Sequence, residues 1–118
     1  MNKRNVKQIN NSSKKTLDVQ HTHKLNEIQG IEEEQQDIKD KIKDADLVIT
    51  TALVIGKKAP VLVTEEMVKS MKTGSVIVDM AVESGGNCEL SEINKTVVKN
   101  GVTIIGESNL PSLLPTNA

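Results

Sequence analysis

No Phe, Tyr or Trp occurs among the 118 residues of the chain. Aromatic side chains ordinarily dominate the buried area of a protein, at about 150–250 Å² each, so this core has to be built from Ile, Val, Leu, Met and Ala. The chain also has no aromatic rings on which nucleobases could stack, which disfavours single-stranded nucleic acid as a partner. The net charge of -1 points the same way, because nucleic-acid binders are strongly basic.

Cysteine and long apolar runs are equally scarce. The single cysteine, Cys88, excludes a disulfide framework and a multi-cysteine metal site within one chain. No apolar run approaches the roughly 18 residues that a membrane-spanning helix needs. The basic, polar start has no apolar segment typical of a secretory signal. We therefore expect one small domain in a reducing cytoplasm.

The N-terminal segment, residues 1–30, is poor in apolar side chains. As far as Lys24, Lys and Arg outnumber acids six to one, and Asn, Ser and Gln fill much of the remainder. Such a composition buries too little apolar surface to offset about 1–2 kcal/mol of backbone entropy per residue, so we expect disorder here. His21 and His23 have no further ligand residues nearby and are interpreted as solvated side chains, with no metal bound.

The next segment, residues 31–45, is predicted to form an acidic helix. Apolar side chains recur at helical spacing on one narrow face, at Ile31, Ile38, Ile42 and Ala45. Three glutamates crowd the first turn, where the helix dipole favours acids. The acidic residues are interpreted as a solvated helix face.

The remainder of the chain reads as strands with a short helix between them. Residues 47–49 and 75–79 are continuous apolar runs, typical of strands buried on both faces of a parallel sheet. Thr64 predicts the N-cap of the intervening helix, and Gly74 predicts its left-handed end.

A hairpin is predicted where Asn100-Gly101 separates the runs 96–99 and 102–105, through a type I′ turn. The alternation of helices and strands predicts an α/β fold. We expect a partial Rossmann-like domain over residues 31–118, with an incomplete parallel sheet and flanking helices, after a disordered N-terminal segment.

Polar residues follow each predicted parallel strand. They include Thr50-Thr51, Asp79, the Gly85-Gly86-Asn87 loop and Asn109. Because ligands bind beyond the carboxyl ends of the strands in an open parallel sheet, these residues should share one edge and face a ligand. A polar surface without aromatics suits a ribose, an amide or a phosphate group.

Plainer interpretations stay open at each position. The threonines can be ordinary strand formers, the glycine pair a simple turn, and Asp79 the cap of a neighbouring loop. Cys88 is typical of a small buried apolar residue. Lys57-Lys58, beside Pro60, is either a solvated loop or a contact for a phosphate or a partner.

Common catalytic signatures are absent from the sequence. It contains no G-x-S-x-G, no H-E-x-x-H, no P-loop and no G-x-G-x-x-G. An independent dinucleotide-binding domain needs that last motif to hold the pyrophosphate. No catalytic residue and no metal ligand is assigned.

Five motifs occur in order between residues 45 and 90: TTAL, GKKAP, LVTEEMV, GSVIVD and GGNCE. Together with residues 100–116, they resemble the NAD(H)-binding domain I of the alpha subunit of proton-translocating NAD(P) transhydrogenase. Alanine dehydrogenase is a more distant resemblance. Residues 1–30 do not resemble the family.

The resemblance implies NAD as the cofactor, held near the carboxyl ends of the strands. The residues it places against NAD or beside the nicotinamide are Thr50, Thr51, Ala52, Leu53, Asp79, Gly85, Gly86, Asn87, Asn109 and Leu110. In the family, hydride passes directly between two nicotinamides, and a separate membrane domain couples this transfer to proton movement. The implied partners are the remaining half of the NAD-binding domain, the NADP-binding domain and the membrane domain. A homodimer at the cytoplasmic face of the inner membrane is also implied.

The Gly-rich turn, the acidic residue for the adenosine ribose and the mobile loop of the family have no counterpart in this sequence. We therefore expect a truncated or degraded gene product, or one piece of a split gene, that contributes part of the NAD(H) site and is inactive alone. Two alternatives stay open. One is a non-catalytic remnant or interaction module, and the other is a fragment similar to alanine dehydrogenase.

Overall fold

The computed structural model describes residues 6–11, 14–20, 22–23 and 29–107. Two helices of the described part are α1 (Gln29–Ile42) and α2 (Glu65–Lys69), and a short 3₁₀ turn covers Val82–Ser84. The strands are β1 (Val6–Asn11), β2 (Lys14–Val19), β3 (Thr22–His23), β4 (Leu47–Thr50), β5 (Leu53–Val54), β6 (Val76–Asp79), β7 (Thr96–Lys99) and β8 (Val102–Ile105).

Six of these strands form one sheet in the order β1-β2-β4-β6-β8-β7. The four inner strands are parallel, and β1 and β7 pair antiparallel at the two edges. β3 and β5 form a separate parallel pair. The predicted α/β class and the parallel arrangement of β4, β6 and β8 are confirmed.

The N-terminal segment differs from the prediction where the structure describes it. β1 and β2 form a hairpin, and β2 runs parallel to β4 inside the sheet. Leu17 and Val19 of β2 are 0% and 1% exposed and belong to the same core as the later strands. The described residues of β1 and β2 are strands, and pairing with β4 supplies the burial that the polar composition of β2 lacks. His21 and the side chain of His23 lie outside the described residues.

The acidic helix has the predicted apolar face. α1 begins two residues before the predicted start, and Ile38, Ile42 and the following Ala45 are fully buried. They pack with strand residues such as Val48, Ile77 and Ile104 in one aromatic-free core. No helix of the described residues is both long and apolar enough to span a membrane.

The short helix α2 confirms its predicted start but not its predicted end. Thr64 Oγ1 accepts a hydrogen bond from the backbone N–H of Met67 at 3.3 Å, as an N-cap does. The helix ends at Lys69, and the Ser70 hydroxyl bonds to the Met67 carbonyl at 2.7 Å. Gly74, with φ of +94°, lies in the next turn, where its N–H donates to the carbonyl of Gly101.

The hairpin between β7 and β8 confirms the predicted turn. Asn100 and Gly101 have φ of +54° and +78°, and Lys99 pairs with Val102 across the turn. Positive φ at both central residues is the requirement of a type I′ turn.

Candidate functional site

The parallel strands bring the polar residue that ends β4 beside the one that ends β6. Thr50 and Asp79 are register partners, and both are fully buried. The Thr50 hydroxyl donates to Asp79 Oδ1 at 3.3 Å. The strands therefore place Thr50 and Asp79 at one edge of the sheet, as predicted. The hydrogen bond between them joins two protein groups and involves no ligand.

Asp79 is surrounded by hydrogen-bond donors on both carboxylate oxygens. Oδ1 also accepts from the N–H of Ala81 at 3.1 Å, while Oδ2 accepts from the N–H of Cys88 at 2.9 Å and the Ser91 hydroxyl at 2.7 Å. Four hydrogen-bond donors therefore surround one buried carboxylate. The carboxylate thereby fastens the loop 81–91 to the end of β6.

Asn87 performs a similar task for the segment after β4. Its side chain is fully buried, and Oδ1 accepts from the N–H of Ala52 at 2.9 Å. Its Nδ2 group donates to the carbonyls of Ala52 and Pro60 at 2.9 and 2.8 Å. The backbone carbonyl of Asn87 accepts from the N–H groups of Leu62 and Val63. One side chain therefore replaces a neighbouring strand for Ala52 and joins it to the segment before α2.

Thr51 and Leu53 reach the surface of this edge. Thr51 is half-buried, and its N–H donates to the carbonyl of Val19 at 2.8 Å, which continues the pairing with β2. The Leu53 side chain is 36% exposed, whereas Ala52 between them is fully buried. Thr51 and Leu53 are therefore the members of the TTAL motif that a ligand can contact.

The glycine pair has a structural reason in the protein itself. Gly85 and Gly86 have φ of +110° and +89°, a backbone region that residues with a side chain rarely adopt. A Cβ atom at position 86 would lie 2.7 Å from Ser91 Oγ and 3.0 Å from Asp79 Oδ2. Gly86 is therefore required by the approach of the loop to Asp79.

Eight of the ten predicted site residues lie among the described residues, and two lie outside them. The eight are Thr50, Thr51, Ala52, Leu53, Asp79, Gly85, Gly86 and Asn87. The two are Asn109 and Leu110. Among the eight, the polar atoms of Asp79 and Asn87 bond to protein groups.

Sequence reasoning missed Ser91, which donates to Asp79 and also bonds to the carbonyl of Cys88 at 2.9 Å. It also missed Val19, whose carbonyl accepts a hydrogen bond from the N–H of Thr51. Ser91 has no periodic signal, but a hydroxyl directly after a glycine-rich loop could have been considered as a partner for Asp79. Val19 was missed because its segment was predicted to be disordered.

Cys88 is a packed, unreactive thiol. It is 2% exposed, and burial raises its pKa from the ordinary 9.0 to about 11, with a smaller contribution from the nearby Asp79 carboxylate. A protonated thiol is a weak nucleophile and a poor metal ligand. Within the described ranges, no group of three or more His, Cys, Asp or Glu side chains could hold a metal ion.

A groove of about 890 Å³ opens beside this edge. One wall is the loop after β5 and the other is the loop after β6, and a hydrogen bond of 2.6 Å from Ala59 N–H to the Ser84 carbonyl joins them. The lining residues are Gly56, Lys57, Lys58, Val82, Glu83, Ser84, Gly85, Ser91 and Ile93.

The family described as "Alanine dehydrogenase/PNT, C-terminal domain" matches residues 2–118. The chain belongs to this family. The match includes residues 2–30, for which the sequence motifs indicated no resemblance.

Within the family, the chain is similar to transhydrogenases and to alanine dehydrogenase. It is 59% identical over 81 residues to an NAD(P) transhydrogenase alpha-subunit chain of Rhodospirillum rubrum, and the match covers 69% of this chain and 21% of the relative. A solved transhydrogenase from Sinorhizobium meliloti has 50% identity and a TM-score of 0.61, and the match covers 64% of this chain and 23% of that one. A solved L-alanine dehydrogenase has 30% identity and a TM-score of 0.62 over 82% of this chain and 32% of that one.

The predicted resemblance to the transhydrogenase alpha subunit is confirmed. The chain spans about a fifth of the length of the Rhodospirillum rubrum family member. A family of dehydrogenases and NAD(P) transhydrogenases is consistent with the predicted cofactor, NAD.

Proposed function

We propose that this chain contributes part of the NAD(H) site of an NAD(P) transhydrogenase, for hydride transfer between NAD(H) and NADP(H), and that it is inactive alone. The observation that carries the proposal is the edge at the ends of β4 and β6. There the TTAL segment is held by Asn87, and Thr51 and Leu53 face outward. Family membership and the high identity to transhydrogenase alpha subunits support the same assignment.

The exposed residues of this edge have polar and apolar groups that suit contact with a nicotinamide nucleotide. The Thr51 hydroxyl donates to the Val19 carbonyl at 3.5 Å and can accept from a ligand, and Leu53 offers an apolar side chain. This combination suits a ribose or amide beside a ring. Asp79 and Asn87 act one step behind this surface, because their polar atoms hold the backbone. The bound nucleotide supplies the hydride chemistry, and the protein orients it and excludes water.

The proposed inactivity of the isolated chain follows from its motifs. The sequence has no G-x-G-x-x-G turn to hold the pyrophosphate on a helix N-terminus. The other half of the NAD-binding domain then has to come from residues outside these 118. The NADP-binding domain and the membrane domain are the further proposed partners, with the assembly on the cytoplasmic face of the inner membrane.

Calorimetric titration of these 118 residues with NADH tests the proposed dependence on the other half of the NAD-binding domain. We expect weak binding or none, since the pyrophosphate has no cradle. A dissociation constant in the low micromolar range would contradict this dependence.

Co-expression with a chain that carries the Gly-rich half tests the proposed role in hydride transfer. We expect hydride transfer to an NAD analogue to appear only with both chains present. Leu53→Asp should abolish it, because a charge would occupy the nicotinamide face. Val98→Asp is the matched control, since Val98 is 66% exposed on the edge strand β7 and should leave transfer unchanged. No transfer with the unchanged chains would reject the enzyme assignment.

A second candidate is a non-catalytic interaction module. It is favoured by the complete use of the Asp79 and Asn87 side chains in internal hydrogen bonds, which stabilise a fold without requiring a ligand. Co-purification of the two chains without hydride transfer would support this candidate.

A third candidate is a fragment similar to alanine dehydrogenase, favoured by the likeness to a solved L-alanine dehydrogenase over 82% of the chain. It predicts pyruvate-dependent oxidation of NADH by the reconstituted pair. Absence of this activity, with transfer between nicotinamides present, would exclude it.

A further inference from the structure

The groove between the loops after β5 and β6 is lined by charged side chains that take part in none of the ion pairs of the described residues. Lys57 and Lys58 line one wall and Glu83 lines the other. The ion pairs found among residues 29–107 involve Lys41, Lys69, Lys72 and Lys95 and none of these three groups. The groove therefore carries two available cations against one available anion.

The side chain of Lys58 packs against Gly85 on the opposite wall of the groove. A Cβ atom at position 85 would lie 3.4 Å from both Cβ and Cε of Lys58, so the aliphatic part of this side chain lies flat on Gly85. Packing on Gly85 restricts the rotamers of Lys58 and keeps its ammonium group at the groove, which reduces the entropy lost when an anion binds.

The two walls are held at a constant separation by buried groups. Asn87 bonds to Pro60, two residues after Lys58, and the Ala59 N–H bonds to the Ser84 carbonyl at 2.6 Å. Asp79 fastens the other end of the 81–91 loop through Cys88 and Ser91. The groove is therefore preorganised, as a binding site has to be.

We propose that this groove binds a phosphate-type oxyanion of a small molecule, with Lys57 and Lys58 as its cationic partners. Lysine binds phosphate as a point charge, and two lysines match the double charge of a phosphate ester. Glu83 repels an anion from its own side and so restricts the phosphate to the lysine wall. Val82 and the 52% exposed Ile93 offer apolar surface to the body of the ligand. The proposal goes beyond the NAD(H) role and does not depend on it.

Titration of the isotope-labelled full chain with inorganic phosphate at low ionic strength tests this site. In amide NMR spectra we expect saturable shifts confined to residues 56–58 and 82–85. The double variant K57Q/K58Q should weaken the apparent affinity by about tenfold or more, because it removes two charge-assisted contacts. The control K39Q/K43Q removes the same charge from exposed positions around α1 and should retain the wild-type affinity.

Equal weakening by both double variants, shifts spread over the whole surface, or no saturation would overturn the proposal. The spectra of each variant also report whether it is folded. Addition of NADH to the phosphate-saturated chain identifies the source of the oxyanion. Displacement of phosphate by NADH points to a dinucleotide phosphate, whereas displacement by a simple phosphate monoester and not by excess NADH points to a separate phosphate ester. The oxyanion site stands in both cases, whether or not NADH titration supports the proposed function.

Discussion

The cluster around Asp79 and Asn87 and the neighbouring groove use polar side chains in opposite ways. In the cluster, both side chains are fully buried and bond to protein groups at 2.7–3.3 Å. In the groove, Lys57, Lys58 and Glu83 line open space and take part in none of the ion pairs described for residues 29–107. The polar side chains nearest the strand ends are bonded within the fold, whereas those beside them face open space.

Asp79→Ala should have the largest effect, because it leaves the N–H groups of Ala81 and Cys88 buried without an acceptor. We expect the free energy of unfolding to fall by about 4 kcal/mol in urea titrations. Asp40→Ala, on the exposed face of α1, is the control and should change it by less than about 0.5 kcal/mol. A loss at Asp79 no larger than the control's would break the comparison.

Asn87→Ala removes three side-chain hydrogen bonds to Ala52 and Pro60. The expected loss in the same urea titration is about 3 kcal/mol. Asn87→Asp should be worse, since a carboxylate oxygen would then face two carbonyl oxygens. Gln36→Ala, an exposed amide on α1, is the matched control. If Asn87→Asp proved more stable than Asn87→Ala, the assigned orientation of the amide would be wrong.

Gly86→Ala and Gly74→Ala separate crowding from backbone strain. Both glycines have φ near +90°, but only position 86 has atoms close to a new Cβ, at 2.7 and 3.0 Å. We expect Gly86→Ala to lose about 2–3 kcal/mol more than Gly74→Ala in unfolding measurements. Ser91→Ala in the Gly86→Ala background should recover part of this difference. Equal losses at the two glycines would show that the loop tolerates the approach.

The raised pKa of the buried Cys88 thiol predicts that the free energy of unfolding depends on pH. The unfolded Cys88 thiol releases its proton near pH 9.0, whereas the folded one keeps it up to about pH 11. The stabilisation is therefore fully present below pH 9 and is lost as the pH rises to 11, by about 2 kcal/mol. Urea titrations of wild type and Cys88→Ala across this window isolate the contribution of the thiol, because all other residues are the same in both proteins. A difference between the two proteins that stays constant with pH would contradict the raised pKa.

The smallest effect on stability is expected in the groove. K57Q/K58Q should change the free energy of unfolding by less than about 0.5 kcal/mol, because both side chains are exposed and outside the described ion pairs. Thermal and urea unfolding measure this directly. A large loss would mean that the lysines serve the fold and would remove the contrast with the Asp79 cluster.

Local signals predicted most of the elements of the later part of the chain. Continuous β-branched runs identified β4 and β6, and Asn100-Gly101 identified the hairpin, because each depends on neighbours in sequence. β2 could not be recognised in this way. Leu17 and Val19 alternate with polar residues in a basic segment, and their burial comes from β4, which lies about 30 residues further along the chain.

The same limit applies to the site. The rule for parallel sheets correctly predicted that Thr50 and Asp79 meet at one edge. It could not predict that Asn87 would replace a strand for Ala52, 35 residues away, or that Ser91 would bond to Asp79. These contacts depend on how the 81–91 loop folds back over the sheet.

By itself the sequence determined the family, the α/β class and the edge at which polar residues gather, because these follow from ordered motifs and from local periodicity. The tertiary structure was needed to show which of those polar side chains form hydrogen bonds within the protein and which face open space. The physical reason is that a buried donor or acceptor has to find a partner wherever the folded chain brings one, and for Asp79 and Asn87 most of those partners are distant in sequence.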